Sequence, residues 1–232
     1  MPVVSTNGHH LDVDAIVLDI DDTLYLERDY VRSGFEAVGR YARRELRIDD
    51  FAERAWAAFE AGARNTIFDD VLSECGARTD DVVITELVAR YRTHTPTIEL
   101  AHDALDGLER WHGAVALAAV TDGHLSSQQA KARALGLTDW TPLVVYTCDL
   151  GPGKAKPDPA AFELVQHEIG VDGKRCVYVA DNPAKDFAGP HSLGWQTVRV
   201  RRRGGLHTQV ASGSDVDHEI ETLDQLDEVL SG

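Results

Sequence analysis

Three aspartates fall within four positions in the stretch Ala15-Ile16-Val17-Leu18-Asp19-Ile20-Asp21-Asp22-Thr23-Leu24. Carboxylates packed that closely repel one another unless positive charge sits among them. A divalent cation answers the need with least machinery: Mg²⁺ takes carboxylate oxygens at short range and keeps waters that a phosphate can replace. The same residue types also suit an acidic turn, because Asp is a common turn former. The rest of the chain decides between the two, beginning with what precedes them. Ala15 to Leu18 is a short apolar run of the kind that forms a strand buried on both faces of a parallel sheet. Reactive groups in such sheets collect just beyond the carboxyl ends of the strands.

Three further polar groups follow similar signals. Val115 to Val120 is an apolar run ending in Thr121-Asp122-Gly123, and Cys176 to Ala180 is another, ending at Asp181 with Asp186 five residues on. Between them, Lys156 precedes Pro157-Asp158-Pro159, a helix start with Asp158 as N-cap and Pro159 at the first helical position. Lys154 is the neighbouring rival for a catalytic lysine. Leu143 to Tyr146 and Gln196 to Val200 read as strands, the latter as the last main one. Helices are expected over Ser126 to Leu135, closed by Gly136, from Pro159 to near Gly170, and over Ile220 to Leu230. Strands alternating with helices predict right-handed βαβ units: an α/β fold, with a Rossmann-like doubly wound parallel sheet. Residues 201–216, with Arg201-Arg202-Arg203, read as a surface loop carrying a solvated basic turn.

The stretch from 27 to 99 carries a different period. Val31, Phe35, Val38, Ala42 and Leu46 recur at steps of three and four after Asp29, a plausible N-cap. A second helix places Phe51, Ala55 and Phe59 on one side behind Asp49 or Asp50. A third fits Phe68 to Cys75, stopped by Gly76, and a fourth fits Asp80 to Tyr91 with Ile84, Leu87, Val88 and Tyr91 aligned. The division expected is a core of residues 1–26 and 100–232 with an inserted helical unit, 27–99.

At 232 residues the chain can build one sizeable core with a smaller partner, and its formal net charge of −16 opposes nucleic-acid binding, which needs a basic face. Its longest apolar run, Ala114 to Val120, is too short to span a bilayer, and the first residues carry no signal-peptide pattern. Cys75, Cys148 and Cys176 are scattered and odd in number, which reads as buried, reduced thiols in a cytoplasmic protein. His9-His10 reads as solvated and idle.

The order Asp-x-Asp-x-Thr, an apolar strand ending in Thr, Lys-Pro-Asp-Pro, and Asp-x-x-x-x-Asp resembles the haloacid dehalogenase superfamily. The likeness spans Asp19 to Asp186, and the helical insertion is similar to the C1 cap of that superfamily. The resemblance implies a phosphatase-type enzyme in which Asp19 attacks phosphorus and forms an aspartyl-phosphate. Asp21 then serves as general acid and base. Thr121, Asp122 and Lys156 contact the phosphoryl group, with Lys156 favoured over Lys154 by the motif. Mg²⁺ is held by Asp19, by the backbone carbonyl of Asp21 and by Asp181, with Thr23 and Asp186 in support. Dehalogenase members lack the acid/base aspartate, so Asp21 favours phosphatase chemistry.

Arg64 and Asn65 sit between two cap helices, where they are candidates for contact with the rest of the substrate. The substrate expected is a small soluble phosphorylated metabolite, without nucleic acid or membrane as partner. A phosphomutase would use the same aspartates, and a catalytically silent regulatory protein could keep the fold; the intact set of polar groups opposes the latter.

Overall fold

The computed structural model describes residues 12–231, so His9 and His10 lie outside the described residues. The chain divides into two compact units: one includes the segment ending at Glu27 and resumes at Glu99, the other is Arg28–Ile98.

The first unit is built on six parallel strands. They are β1 (Ala15–Leu18), β2 (Ala116–Thr121), β3 (Val144–Tyr146), β4 (Cys176–Ala180), β5 (Gln196–Val200) and β6 (His218–Ile220), in the order β3-β2-β1-β4-β5-β6. The chain leaves β1 toward one edge, then returns to add β4 on the other side. The switch point therefore lies between β1 and β4, where ligands bind in open α/β sheets. Register sets what gathers there. Leu18 stands opposite Ala119 and Val179, and the Asp19 amide continues the ladder by donating to the Val179 carbonyl at 2.9 Å. Two residues past those partners come Thr121 and Asp181. Ala15, Val17, Val120, Phe162, Tyr178 and Phe187 pack one core face at 0 % exposure. That burial accounts for runs without polar alternation.

The second unit is helical. It holds α1 (Glu27–Tyr41), which begins at the unit boundary, α2 (Phe51–Glu60), α3 (Ile67–Glu74) and α4 (Asp81–Thr93). Val31, Phe35, Val38 and Ala42 are buried as their spacing requires. Helix α1 starts two residues before Asp29, and Ala42–Leu46 continues it as a wider turn that ends at Arg47 with φ 61°. Asp80 caps α4 by accepting from the Val83 amide at 3.1 Å. Asp50 stands at the start of α2 but its carboxylate bonds Arg54 instead of the backbone. The interior is aromatic, with the Phe35 ring 6.3 Å from Phe59, 6.0 Å from Phe68 and 5.8 Å from Tyr91.

The remaining helices belong to the first unit: α5 (His102–Trp111), α6 (Leu125–Ala134), α7 (Ala160–Ile169), α8 (Ala188–Ser192) and α9 (Leu226–Leu230). Several expectations need correction. The last strand is β6, not β5, and the helix expected over 220–230 is only α9, after a 3₁₀ turn at Leu223–Gln225. The basic run is not a solvated turn. Arg202 is 8 % exposed, pairs with Asp103 at 2.7 Å and donates to the Thr23 carbonyl, while Arg201 holds the Thr208 carbonyl and Glu219. Cys176 is buried but Cys75 is half-buried and Cys148 exposed, and all three are free thiols. Helix α7 starts one residue later than expected, with Asp158 accepting from the Ala160 amide at 3.0 Å. Among the described residues no helix is long and apolar enough to cross a membrane.

Candidate active site

At the carboxyl end of β1, Asp19 is 4 % exposed and accepts from the Lys156 ammonium at 2.7 Å through Oδ1. Lys156 Nζ also lies 2.7 Å from Asp186 Oδ1 and 3.0 Å from the Tyr178 hydroxyl, with its side chain wholly buried. The rival is elsewhere: Lys154 is half-exposed and pairs with Asp158 at 3.3 Å. Burial works against the charged form of Lys156. The carboxylates of Asp186 and Asp19 outweigh it and keep its pKa well above the usual lysine range.

Asp122, on the loop after β2, sets where Lys156 begins. Its Oδ1 accepts from the Lys156 amide at 3.1 Å and from the Thr147 hydroxyl at 2.7 Å, and its Oδ2 faces Lys185 Nζ at 3.1 Å. Burial raises its pKa, but the charges of Lys156 and Lys185 hold it below the usual range. This carboxylate is committed to protein groups and aims the segment that carries Lys156. Thr121 is 1 % exposed at the tip of β2.

Asp19, Asp181 and Asp186 each bring a carboxylate oxygen within 4.8 Å of the others, and all three are buried. Burial, then the charges of Asp19, Asp186, Asp22 and Glu27, push Asp181 up to about 9. Burial raises Asp19 to about 6 although Lys156 pulls it down. Acids strained in this way are a donor set that a divalent cation fits, since it takes up the charge that otherwise forces them neutral. Asp186 is thus a full member of the acidic cluster.

The Asp21 side chain turns to a different set of groups. Lys131 Nζ is 2.7 Å from both of its oxygens, Gln128 Nε2 is 3.3 Å from Oδ2, and the Tyr25 hydroxyl donates to Oδ1. Burial opposes ionisation of Asp21, but Lys131 and these hydrogen bonds prevail and hold its pKa below the usual range. Thr23, expected to orient Asp21 or the turn, makes no hydrogen bond to Asp21 through its side chain. Its hydroxyl is buried without a hydrogen-bond partner. Asp22 supports the turn instead, accepting from the Glu27 and Leu206 amides at 2.8 and 2.7 Å. Glu27 is raised to about 7, by burial and then by Asp21.

Sequence reasoning missed Lys131, Gln128, Tyr25 and Lys185. Lys185 carried a usable signal, lying inside the Asp181 to Asp186 motif. In the helical unit, Arg64 and Asn65 occupy the loop between α2 and α3. Arg64 Nη1 donates to the carbonyls of Phe59 at 2.9 Å and Ala63 at 2.6 Å, and its guanidinium lies 4.3 Å from the Phe59 ring centre.

Residues 13–194 match the haloacid dehalogenase-like hydrolase family. The chain belongs to that family. Similar proteins include a glyceraldehyde 3-phosphate phosphatase of Methanopyrus kandleri, 27 % identical over 94 % of this chain and 97 % of that one. A phosphoserine phosphatase of Thermus thermophilus is 28 % identical over 81 % and 88 %. Among solved structures, the HAD-hydrolase YfnB from Bacillus subtilis bound to magnesium superposes with a TM-score of 0.66 at 19 % identity, covering 94 % of this chain and 98 % of that one. The motif resemblance is borne out, and this hydrolase is an enzyme of phosphatase type.

Proposed function

We infer that the chain is a Mg²⁺-dependent phosphomonoester hydrolase acting on a small phosphorylated metabolite of the cytoplasm through an aspartyl-phosphate intermediate. One observation carries the reading: Lys156 lies 2.7 Å from Asp19 beside a buried cluster of three carboxylates. Relatives that match 94 % and 81 % of the chain and are named as phosphatases of small phosphorylated compounds support it.

A carboxylate oxygen of Asp19 attacks phosphorus in line as the bond to the leaving oxygen breaks. The leaving alkoxide takes a proton from Asp21. Water then attacks the aspartyl-phosphate, giving up a proton to Asp21, and inorganic phosphate departs with Asp19 restored. A carboxyl held below its usual pKa suits the second, base step better than the first. Lys156 keeps its positive charge beside the nucleophile throughout, and Thr121 offers a hydroxyl to the phosphoryl oxygens. Asp19, Asp181 and Asp186, with the Asp21 carbonyl, are the groups that would hold the cation, which supplies charge to the phosphoryl oxygens. Arg64 and Asn65 are proposed contacts for the leaving group.

The test is a panel of phosphorylated metabolites, with an aryl phosphate as generic probe, assayed with and without Mg²⁺. Inorganic phosphate should appear without a phosphorylated isomer, and Asp19→Asn should lower the rate by about 10³-fold or more. A phosphorylated isomer in place of free phosphate would point to a mutase. Wild-type turnover by Asp19→Asn would refute the nucleophile.

A further inference from the structure

Helix α6 leaves the loop after Thr121-Asp122 and places Gln128 and Lys131 three residues apart, on one helix face. Both are buried, at 4 % and 3 % exposure. A lysine that deep in the protein requires an anion, and the one that meets it is Asp21, through both carboxylate oxygens at 2.7 Å. Two more donors converge on the same carboxylate. Gln128 reaches Oδ2 at 3.3 Å while its amide also holds the Asp122 carbonyl at 2.8 Å, and Tyr25 donates from the turn after β1. Three donors from two segments therefore fix the direction of one side chain. Thr23, the nearest hydroxyl in sequence, contributes nothing to it.

We propose that Lys131 is a positioning residue that acts through Asp21, with Gln128 as its weaker helper. The inference rests on the reading of Asp21 as the acid and base of phosphate-ester hydrolysis. A two-oxygen contact from one ammonium leaves the outer lone pairs of the carboxylate for the proton being moved, while preventing rotation of the side chain. Without Lys131 the carboxylate is free to swing, and a displacement of about 1 Å costs up to about 10²-fold in rate.

The experiment uses the full chain with Mg²⁺ and p-nitrophenyl phosphate. The nitrophenolate leaving group needs no proton, so the assay reports the base step. Lys131→Met should lower kcat by about 10- to 100-fold with KM changed by less than about threefold. In the Asp21→Asn background the same substitution should change kcat by less than about threefold, because the group it positions is already disabled. A structural role predicts instead that the two losses multiply, and that result overturns the proposal, as does a Lys131→Met enzyme with wild-type kcat. If Lys131→Met fails to fold, Gln128→Met supplies the same comparison: a smaller loss of kcat that vanishes in Asp21→Asn supports the proposal, and one that persists refutes it. Asp19→Asn run alongside separates the two levels of inference. Wild-type turnover there removes the hydrolase mechanism itself, whereas an inactive Asp19→Asn beside a fully active Lys131→Met removes only the positioning role.

Discussion

Arg202 Nη2 donates to the Thr23 carbonyl at 2.7 Å, joining the segment after β5 to the turn after β1. The same guanidinium pairs with Asp103 at 2.7 Å through Nη1, and both side chains are about one-tenth exposed. Asp103 in turn accepts from the Leu223 amide at 2.8 Å. One arginine thus ties the turn that carries Asp19 to α5 and to the chain near the C-terminus. Arg202→Met keeps most of the bulk but takes the cation from the largely buried Asp103 carboxylate and the donor from the Thr23 carbonyl. Breaking such a pair from one side costs about 3 kcal/mol, which lowers Tm by about 6–12 °C in a chain of this size. Thermal unfolding of the two proteins checks this, and a Tm within about 2 °C of wild type would place the guanidinium outside the load path.

Lys156 provides a second test, of charge rather than tethering. Its ammonium meets three oxygens in a wholly buried site. Lys156→Met should abolish measurable turnover, with a fall of about 10²-fold at least, because the transferring phosphoryl group loses a fixed positive charge. Lys156→Arg keeps the charge but brings a planar fork into a space shaped for a compact ammonium. It should recover less than about a tenth of the lost rate. Full recovery would mean that charge alone matters and the Tyr178 hydroxyl contact does not.

The residues that were legible in the sequence and those that were not differ for a physical reason. Strands β1, β2 and β4 are buried on both faces, so each announces itself as an apolar run, and the polar residue that ends the run marks the site. Asp19, Thr121 and Asp181 were singled out that way. β6 is three residues long with His218 and Glu219 exposed, which leaves no pattern to detect. Lys131 was invisible because a lysine on a helix normally lies in water, and its burial depends on an aspartate 110 residues away. Arg202 hid for a similar cause, since three consecutive arginines look solvated until the fold supplies Asp103. Helical spacing in the second unit was readable at Phe35 and Phe59. Capping by Asp50 was not, because the i+4 Arg54 competes for the same carboxylate.

The helical unit carries a prediction of its own. A Cβ added at Gly34 would stand 2.6 Å from Cδ2 of Tyr91, inside contact distance for carbon. The Tyr91 ring is packed against Phe35, Phe68 and Tyr30 and has little room to retreat. Gly34→Ala gains up to about 1 kcal/mol in helix propensity, while overpacking costs about 1–3 kcal/mol. The net expectation is a loss of stability, seen as a lower Tm and faster proteolysis within 28–98. A Gly34→Ala protein more stable than wild type would show that the ring yields freely.

The strongest pH dependence should come from the carboxylates that hold the proposed cation. Asp181 stands near 9 and Asp19 near 6 in the metal-free protein, both raised chiefly by burial. Each raised acid stabilises the fold fully below its unfolded value of about 4, and that contribution is lost as pH climbs through the folded value. Metal-free protein should therefore become less stable from about pH 4 to about pH 9. Binding of Mg²⁺ needs both groups ionised, so near neutral pH it must expel about one proton, chiefly from Asp181. Affinity should rise by up to about tenfold per pH unit while that proton is being released, and the Tm gain on adding Mg²⁺ should widen over the same range. Calorimetry in two buffers of different ionisation enthalpy counts the proton directly. Asp181→Asn should flatten the dependence while weakening binding. A Mg²⁺ affinity that does not change between about pH 6 and about pH 8.5 would mean that the cation does not sit on these carboxylates.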